Sequence, residues 1–271
     1  MAYDFTALSV DVSNGIAVCT IDNGPVNLFD RVLFPEMAQL SIDLAADDDV
    51  RVVVLRSANP SFFIAHFDVS LILRFPARPA PTMLGDFQLM CERFRTMPKA
   101  TIAMIEGRVG GGGSELALSF DMRFAALGKA VFNQPEVALG IIPGGSGTVR
   151  LPRLIGRSRA LEAVLGCDDI DADTAERWGW VNRALPPADL WPFVQRLATR
   201  IAGFPSNAVA EAKASVLRAE ADVPRHLLDE AASFARCAPR DDANTAMSAF
   251  LAQGGQTVEG ESRLGALAAE L

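Results

Sequence analysis

The sequence predicts a layered α/β fold, and three observations carry that expectation. Stretches of strand-like alternation and stretches of helical spacing succeed one another along the first half of the chain. Two runs, Val50-Arg51-Val52-Val53-Val54-Leu55 and Thr101-Ile102-Ala103-Met104-Ile105, are apolar and β-branched enough to be strands covered on both faces. The order strand, helix, strand then recurs as a loose β-β-α repetition, which implies stacked layers without fixing a topology.

The elements follow in order. Leu8-Val10-Val12 and Ile16-Val18-Thr20 alternate as strands, and Asn14-Gly15 between them is a hairpin turn. Leu33, Met37, Leu40 and Leu44 share one helical face, and Asp47-Asp48-Asp49 ends that helix. A proline-bearing loop spans Pro60 to Pro81. Phe87, Met90, Cys91 and Phe94 mark a second helix, which Pro98 should stop. Ala130-Val131-Phe132 reads as a further strand. From about Ile155 the texture turns helical. Leu227, Ala231, Phe234 and Ala235 form one apolar stripe, and Ala243, Ala246, Met247 and Phe250 another. Each stripe either closes the core or faces a second subunit. The tail after Gly254-Gly255 has little apolar content and is assigned no element.

Composition narrows the function classes. With 271 residues, half of them apolar, the chain can bury a large core. A formal net charge of -8 argues against a general nucleic-acid-binding surface, which needs clustered positive charge. The opening Met1-Ala2-Tyr3-Asp4-Phe5 lacks the basic start of a secretory signal, and no apolar run approaches the roughly 18 residues of a membrane span. A cytoplasmic location away from membranes is expected. Cys19, Cys91, Cys167 and Cys237 are scattered, without a CxxC pair, and are expected to be reduced thiols. With only His66 and His226 besides, no metal site is expected.

Three segments could carry chemistry. Gly107-Arg108-Val109-Gly110-Gly111-Gly112-Gly113-Ser114-Glu115-Leu116-Ala117 follows a strand directly and leads into a helix. Four successive glycines cost backbone entropy, which a chain accepts where its backbone must approach something closely. Helix N-terminal N–H groups could meet an anion there, or the turn could simply pack helix on strand. Neither GxxxxGK[ST] nor a meaningful GxGxxG is present, and Glu115 would repel a phosphate. In the second segment, Asn133-Gln134-Pro135-Glu136 leads to Pro143-Gly144-Gly145-Ser146-Gly147, and Glu136 is flanked by apolar residues that would raise its pKa. Two such glutamates, one ionised and one protonated, make an acid/base pair; either alone could be a surface or capping carboxylate. The third segment, Ser61-Phe62-Phe63-Ile64-Ala65-His66-Phe67-Asp68, is unusually apolar for a loop. His66 there is a packed histidine or a base.

Together these segments resemble the enoyl-CoA hydratase/isomerase (crotonase) family. The first is similar to the family's Gly-Gly-Gly-small-Glu-Leu-Ala motif and the second to Gln-Pro-Glu-x-x-x-Gly-x-x-Pro-Gly, continuing through Arg150-Leu151-Pro152-Arg153-Leu154-Ile155-Gly156. Ala172-Asp173-Thr174-Ala175-Glu176, then Trp178-Gly179-Trp180-Val181-Asn182, resemble a later helix and Gly-x-Val-Asn strand, and Pro25-Val26-Asn27 an early Pro-x-Asn turn. The likeness runs from about residue 8 to 250.

The resemblance implies a crotonase-like spiral of β-β-α units over residues 1–200, with the acyl-CoA site, and a helical C-terminal trimerisation region over 201–271. It implies an acyl-CoA substrate, no cofactor beyond the coenzyme A of that substrate, and a homotrimer or dimer of trimers. Glu115 and Glu136 would be the catalytic pair, and the backbone N–H groups of Ala65 and Gly112 the oxyanion hole. Asn27, Ile64, His66, Asp68, Gly111, Pro135 and Gly144 would contact the substrate. Hydration of a 2-enoyl-CoA to a 3-hydroxyacyl-CoA is the activity implied by both glutamates; isomerisation through the same oxyanion hole, or binding without catalysis, are the alternatives. Four places depart from the family pattern, the first being Asn27-Leu28-Phe29-Asp30 in place of Asn-Ala-Leu-Asn. His66 replaces the glycine of Ala-Gly-x-Asp, Ser70 stands where a lysine is frequent, and Ala252-Gln253-Gly254-Gly255-Gln256 replaces a Lys/Arg-rich stretch that holds the CoA nucleotide.

Overall fold

Asn14 and Gly15 both take positive φ, 52° and 79°, as a two-residue hairpin turn requires. They join β1 (Leu8–Ser13) to β2 (Ile16–Ile21) in an antiparallel pair with Ser13 opposite Ile16 and Leu8 opposite Ile21. The structure is a computed structural model that describes residues 3–75, 79–220 and 222–271. The first two residues of the N-terminal segment and the centre of the proline-bearing loop, residues 76–78, lie outside the described residues. The chain continues through α1 (Leu33–Ala46), β3 (Val52–Ser57), β4 (Phe62–Ile64), α2 (Val69–Ile72), α3 (Asp86–Thr96), β5 (Ala100–Ile105), β6 (Arg108–Gly110), α4 (Gly111–Leu118), β7 (Met122–Ala126) and β8 (Val131–Asn133). Then come α5 (Gly147–Ile155), α6 (Arg157–Gly166), β9 (Ile170–Asp171), α7 (Ala172–Trp178), β10 (Arg183–Leu185), and the helices α8 (Pro187–Ala202), α9 (Ser206–Leu217), α10 (Val223–Cys237), α11 (Asp241–Ala252), α12 (Val258–Ser262) and α13 (Leu264–Ala268).

The strands form two sheets, a larger one in the order β1-β2-β3-β5-β7-β10 and a smaller one in the order β4-β6-β8-β9. Apart from the β1–β2 and β8–β9 pairs, neighbours are parallel. Each turn of the chain therefore lays one strand in each sheet: β3 then β4, β5 then β6, β7 then β8. Helices follow each pair, which makes the expected spiral of β-β-α units. The β-branched run of β3 is covered on both faces, as its composition predicts. Val53 and Leu55 pack with Phe63, Ile64, Val109 and Phe132 in the core between the sheets, while Val52 and Val54 pack against Leu190, Val194 and Ala198 of α8. The strand begins two residues later than the apolar run because the Arg51 and Val52 N–H groups both donate to Gly15 O, at 2.8 and 3.1 Å.

Two expectations are revised. The glycine run does not precede the helix but forms the first turn of α4. A Cβ at Gly113 would stand 2.4 Å from Ile64 O, so glycine there lets α4 lie directly on the backbone of β4. The tail is also structured: α12 and α13 follow Gly254-Gly255, and Leu264 and Leu267 join Leu139, Ile141, Ala243, Met247 and Phe250 in one cluster. The stripe of α11 is buried in that cluster, and Leu227 of α10 packs on Val149. Both helices thus face their own chain. The four cysteines are unpaired. Among the described residues no helix is long and apolar enough to cross a membrane.

Candidate active site

The parallel order of the smaller sheet brings the three chemistry-bearing segments together, because each follows one of its strands: Ala65–Asp68 after β4, α4 after β6, and Gln134–Glu136 after β8. They surround a cavity of about 350 Å³. Glu115, Glu136, Gly112, His66, Pro135 and Gly144 all line it, with Phe34, Phe67, Phe87, Leu139, Ile141 and Phe234 giving an apolar wall.

Glu115 and Glu136 are both buried but differ in their partners. Glu115 Oε1 accepts three backbone N–H groups from the start of α5: Gly145 at 2.8 Å, Ser146 at 2.9 Å and Gly147 at 2.8 Å. Burial raises its pKa, and those three donors together with the Arg150 guanidinium oppose the rise. Ser146 is held at φ 144°, a conformation rare for a residue with a side chain, where its N–H takes part in this cradle. Glu136 has one side-chain donor, Gln134 Nε2 at 3.2 Å from Oε2. Burial, and then the nearby Glu115 charge, push its pKa well above the ordinary carboxylate value. The environment thus favours a proton on Glu136 and a charge on Glu115. Gly111 opens α4 beside Glu136: it sits at φ 44°, and a Cβ there would lie 3.0 Å from both Glu136 Oε1 and His66 Cβ.

The amide expectation for Ala65 is corrected. The Ala65 N–H donates to Val26 O at 3.1 Å and is spent on the fold. Beyond Ala65, Phe29 N donates to His66 O at 2.9 Å, and Asp68 N to Phe29 O at 3.0 Å. A trans peptide plane points its N–H opposite to its C=O. The Phe67 N–H therefore turns away from Phe29 and into the site, and among the described residues it has no acceptor. It lies 3.6 Å from where a Cβ at Gly112 would be. Gly112 is in the first turn of α4, where N–H groups have no partner within the helix. Two free amides, of Phe67 and Gly112, thus flank the cavity. Hairpin-like alternation cannot reveal this, because the Phe29–Phe67 bridge joins residues far apart in sequence.

Other expected contacts serve the frame. Asn27, fully buried, donates from Nδ2 to Ser57 Oγ, Phe62 O and Phe63 O at 2.8, 3.1 and 3.0 Å, tying the β4 loop rather than facing the cavity. Ile64 packs against Gly113, and Asp68 caps α2 by accepting from Ser70 N at 2.8 Å. Asn27, Ile64, Asp68 and Gly111 do not line the cavity. His66 is no free base. Its Nδ1 meets Phe67 O at 2.8 Å and its Nε2 meets Glu261 Oε1 at 2.9 Å. Glu230 of α10 was not singled out by the sequence. It accepts from Thr148 N and Oγ1 at 2.7 and 2.5 Å, and burial followed by the Glu115 charge pushes its pKa up to about 8.

A fold of two sheets linked in β-β-α turns, with buried carboxylates and free amides around an apolar cavity, has the architecture of an acyl-thioester enzyme. The chain belongs to the enoyl-CoA hydratase/isomerase family, whose sequence model matches residues 11–259. It is 36% identical over 210 residues to the crotonyl-CoA hydratase of Syntrophomonas wolfei, covering 76% of this chain and 80% of that one. It is 32% identical over 240 residues to the short-chain-enoyl-CoA hydratase of Clostridium acetobutylicum, covering 87% and 91%. A crystal structure of a candidate enoyl-CoA hydratase from Streptomyces avermitilis superposes with a TM-score of 0.91 at 38% identity, over 98% of each chain. The fold is the α/β crotonase fold with C-terminal helices.

Proposed function

We propose that this protein hydrates a 2-enoyl-CoA to a 3-hydroxyacyl-CoA. The observation that carries this reading is the unequal pair of buried glutamates on one cavity, Glu115 cradled by three N–H groups and Glu136 without them. Glu115, ionised, takes a proton from water as the water oxygen bonds to C3 of the enoyl group. The C2–C3 π electrons move to C2 and the thioester oxygen, as an enolate. The amides of Phe67 and Gly112 hold that oxygen; one such donor is worth roughly 3 kcal/mol in comparable sites. Glu136 then delivers its proton to C2. Atoms balance as one water added, and a proton returning from Glu115 to Glu136 resets the pair. The apolar wall takes the acyl chain. This reading goes with a role in acyl-CoA and lipid metabolism and with the expected cytoplasmic location.

A homotrimer or dimer of trimers built through residues 201–271 fits this reading. No residue of α9 is buried in the single chain, and Val216 on it is 72% exposed. Light scattering on the purified protein tests the assembly. The activity is tested by following the ultraviolet absorbance of crotonyl-CoA, with Glu115→Gln alongside. Loss of absorbance with the unmutated protein alone supports hydration. An unchanged substrate mass with a shifted double bond would replace it with isomerisation, and binding without turnover with a non-catalytic role.

A further inference from the structure

The side chain of His66 makes two contacts that a glycine could not. Its Nδ1 is 2.8 Å from Phe67 O, and a carbonyl only accepts, so Nδ1 carries hydrogen. Its Nε2 is 2.9 Å from Glu261 Oε1, and the same oxygen accepts the Gln256 N–H at 2.6 Å. Against burial, the His66 charge and hydrogen bond hold the Glu261 carboxyl below its ordinary value while Glu261 holds His66 above its own, so the contact is a carboxylate on an imidazolium with hydrogen on both ring nitrogens. Both side chains are buried, at 5% and 1% exposure. The contacts extend to Gln256, whose Oε1 accepts from Val69 N at 2.8 Å and whose Nε2 donates to Asp68 Oδ1 at 2.9 Å. The C-terminal residues Gln256 and Glu261 thus clasp the loop from His66 to Val69.

That clasp bears on one amide. The peptide plane before Phe67 is held by the Phe29 N–H to His66 O bond, and the plane after it from both sides, by Asp68 N on Phe29 O and by His66 Nδ1 on Phe67 O. With both planes held, the direction of the Phe67 N–H is set. We propose that His66 and Glu261 are positioning residues: the C-terminal segment clamps the Phe67 amide in the orientation that receives the thioester oxygen. This rests on the acyl-thioester reading of the site.

The charges facing His66 come from every element around it: Asp68 on its own loop, Glu261 on α12, Glu136 beyond Gly111, and Arg108 of β6, which is itself paired with Asp169 and acts on Glu261. Burial pulls the His66 pKa down, but the Glu261 charge and hydrogen bond with the Phe67 carbonyl outweigh it and hold it above the ordinary value. The clamp is thus complete between the lowered pKa of Glu261 and the raised pKa of His66, and its ion pair is lost as pH rises through the latter.

The test uses Glu261→Ala and Glu261→Gln in the full chain. A glutamine oxygen still accepts from both His66 and Gln256, whereas alanine offers nothing. On crotonyl-CoA, Glu261→Ala is expected to lower kcat about tenfold with KM changed less than about twofold, and Glu261→Gln to retain most of kcat near pH 6 but lose it at lower pH than the unmutated protein does. Acetoacetyl-CoA, whose bound enolate absorbs in the near ultraviolet, reads the same amide without turnover: Glu261→Ala should weaken the band and Glu261→Gln restore it. The chain has two histidines, so imidazole nitrogen resonances identify His66 directly. They should stay those of an imidazolium beyond the usual histidine range of about 6.5. If crotonyl-CoA is untouched while the enolate band responds as stated, the hydratase reading fails and the clamp stands. A Glu261→Ala protein with the unmutated kcat and band overturns the clamp. So does equal loss in both variants, or an unmutated protein that gives no enolate band.

Discussion

The Phe67 nitrogen lies 3.6 Å from the point that a Cβ on Gly112 would occupy, so the two free amides look onto one small space. A methyl group at 112 would meet Phe87 Cζ at 3.4 Å and Phe67 Cβ at 3.5 Å, ordinary contacts that the fold tolerates. It would also fill the space meant for a thioester oxygen. Gly112→Ala is therefore expected to melt within a few degrees of the unmutated protein yet lose about 100-fold in kcat/KM. Gly113→Ala should do the reverse at first sight of heat, because its methyl would stand 2.4 Å from Ile64 O; such overpacking costs about 1–3 kcal/mol or more. Thermal melts and crotonyl-CoA kinetics on the two neighbours separate chemistry from packing.

Glu115 and Glu136 predict a bell-shaped pH profile. Catalysis needs Glu115 ionised, so kcat/KM falls as pH drops through the raised pKa of Glu115; it needs Glu136 protonated, so it falls again as pH rises through the higher pKa of Glu136. Because each charge acts on the other, both limbs belong to the pair. Glu136→Gln cannot give up a proton. It is expected to lower kcat by about 10²–10⁴ and to remove the basic limb that Glu136 sets, leaving only the alkaline loss that follows His66. A basic limb unchanged in Glu136→Gln would assign it to His66 alone.

Much of the frame was legible in the sequence, and the reason is local. The hairpin at Asn14-Gly15, the β-branched strand β3 and the helix carrying Leu33, Met37, Leu40 and Leu44 are set by neighbours in sequence, and each is in place. The glutamates were found because glycine and proline around them mark turns after strands. What was not legible depended on distant pairing. Ala65 was expected to donate to substrate because nothing local shows that Val26 takes its N–H. Glu261 looked like part of a polar tail, since its partner His66 is 195 residues away. Glu230 reads as one charge on an amphipathic helix until α10 folds onto Thr148.

Glu230 gives a stability prediction. Its pKa rises to about 8 in the fold, chiefly by burial, from an ordinary 4.5. A raised folded pKa means that the native state binds the proton more tightly than the unfolded chain does. The stability from this group is fully present below about pH 4.5 and is lost as pH rises through 8. Glu230→Gln keeps an oxygen for Thr148 but carries no charge. Its melting temperature should match the unmutated protein near pH 5 and exceed it by a growing margin toward pH 9. Parallel melting curves across that range would assign the alkaline loss elsewhere.

Phe234 governs how deep an acyl chain can go. It reaches from α10 to the cavity, against Gly144, where a Cβ would be only 2.7 Å from its ring. With Phe34, Phe67 and Phe87, the ring lines a cavity of about 350 Å³. Phe234→Ala removes that wall without touching either glutamate or either amide. Added methylenes would then gain apolar contact, each worth roughly 1 kcal/mol when buried. The ratio of kcat/KM for 2-decenoyl-CoA over crotonyl-CoA is expected to rise about tenfold or more in the variant. A ratio that stays fixed would mean that the chain leaves the site by another face, and that α10 sets stability rather than chain length.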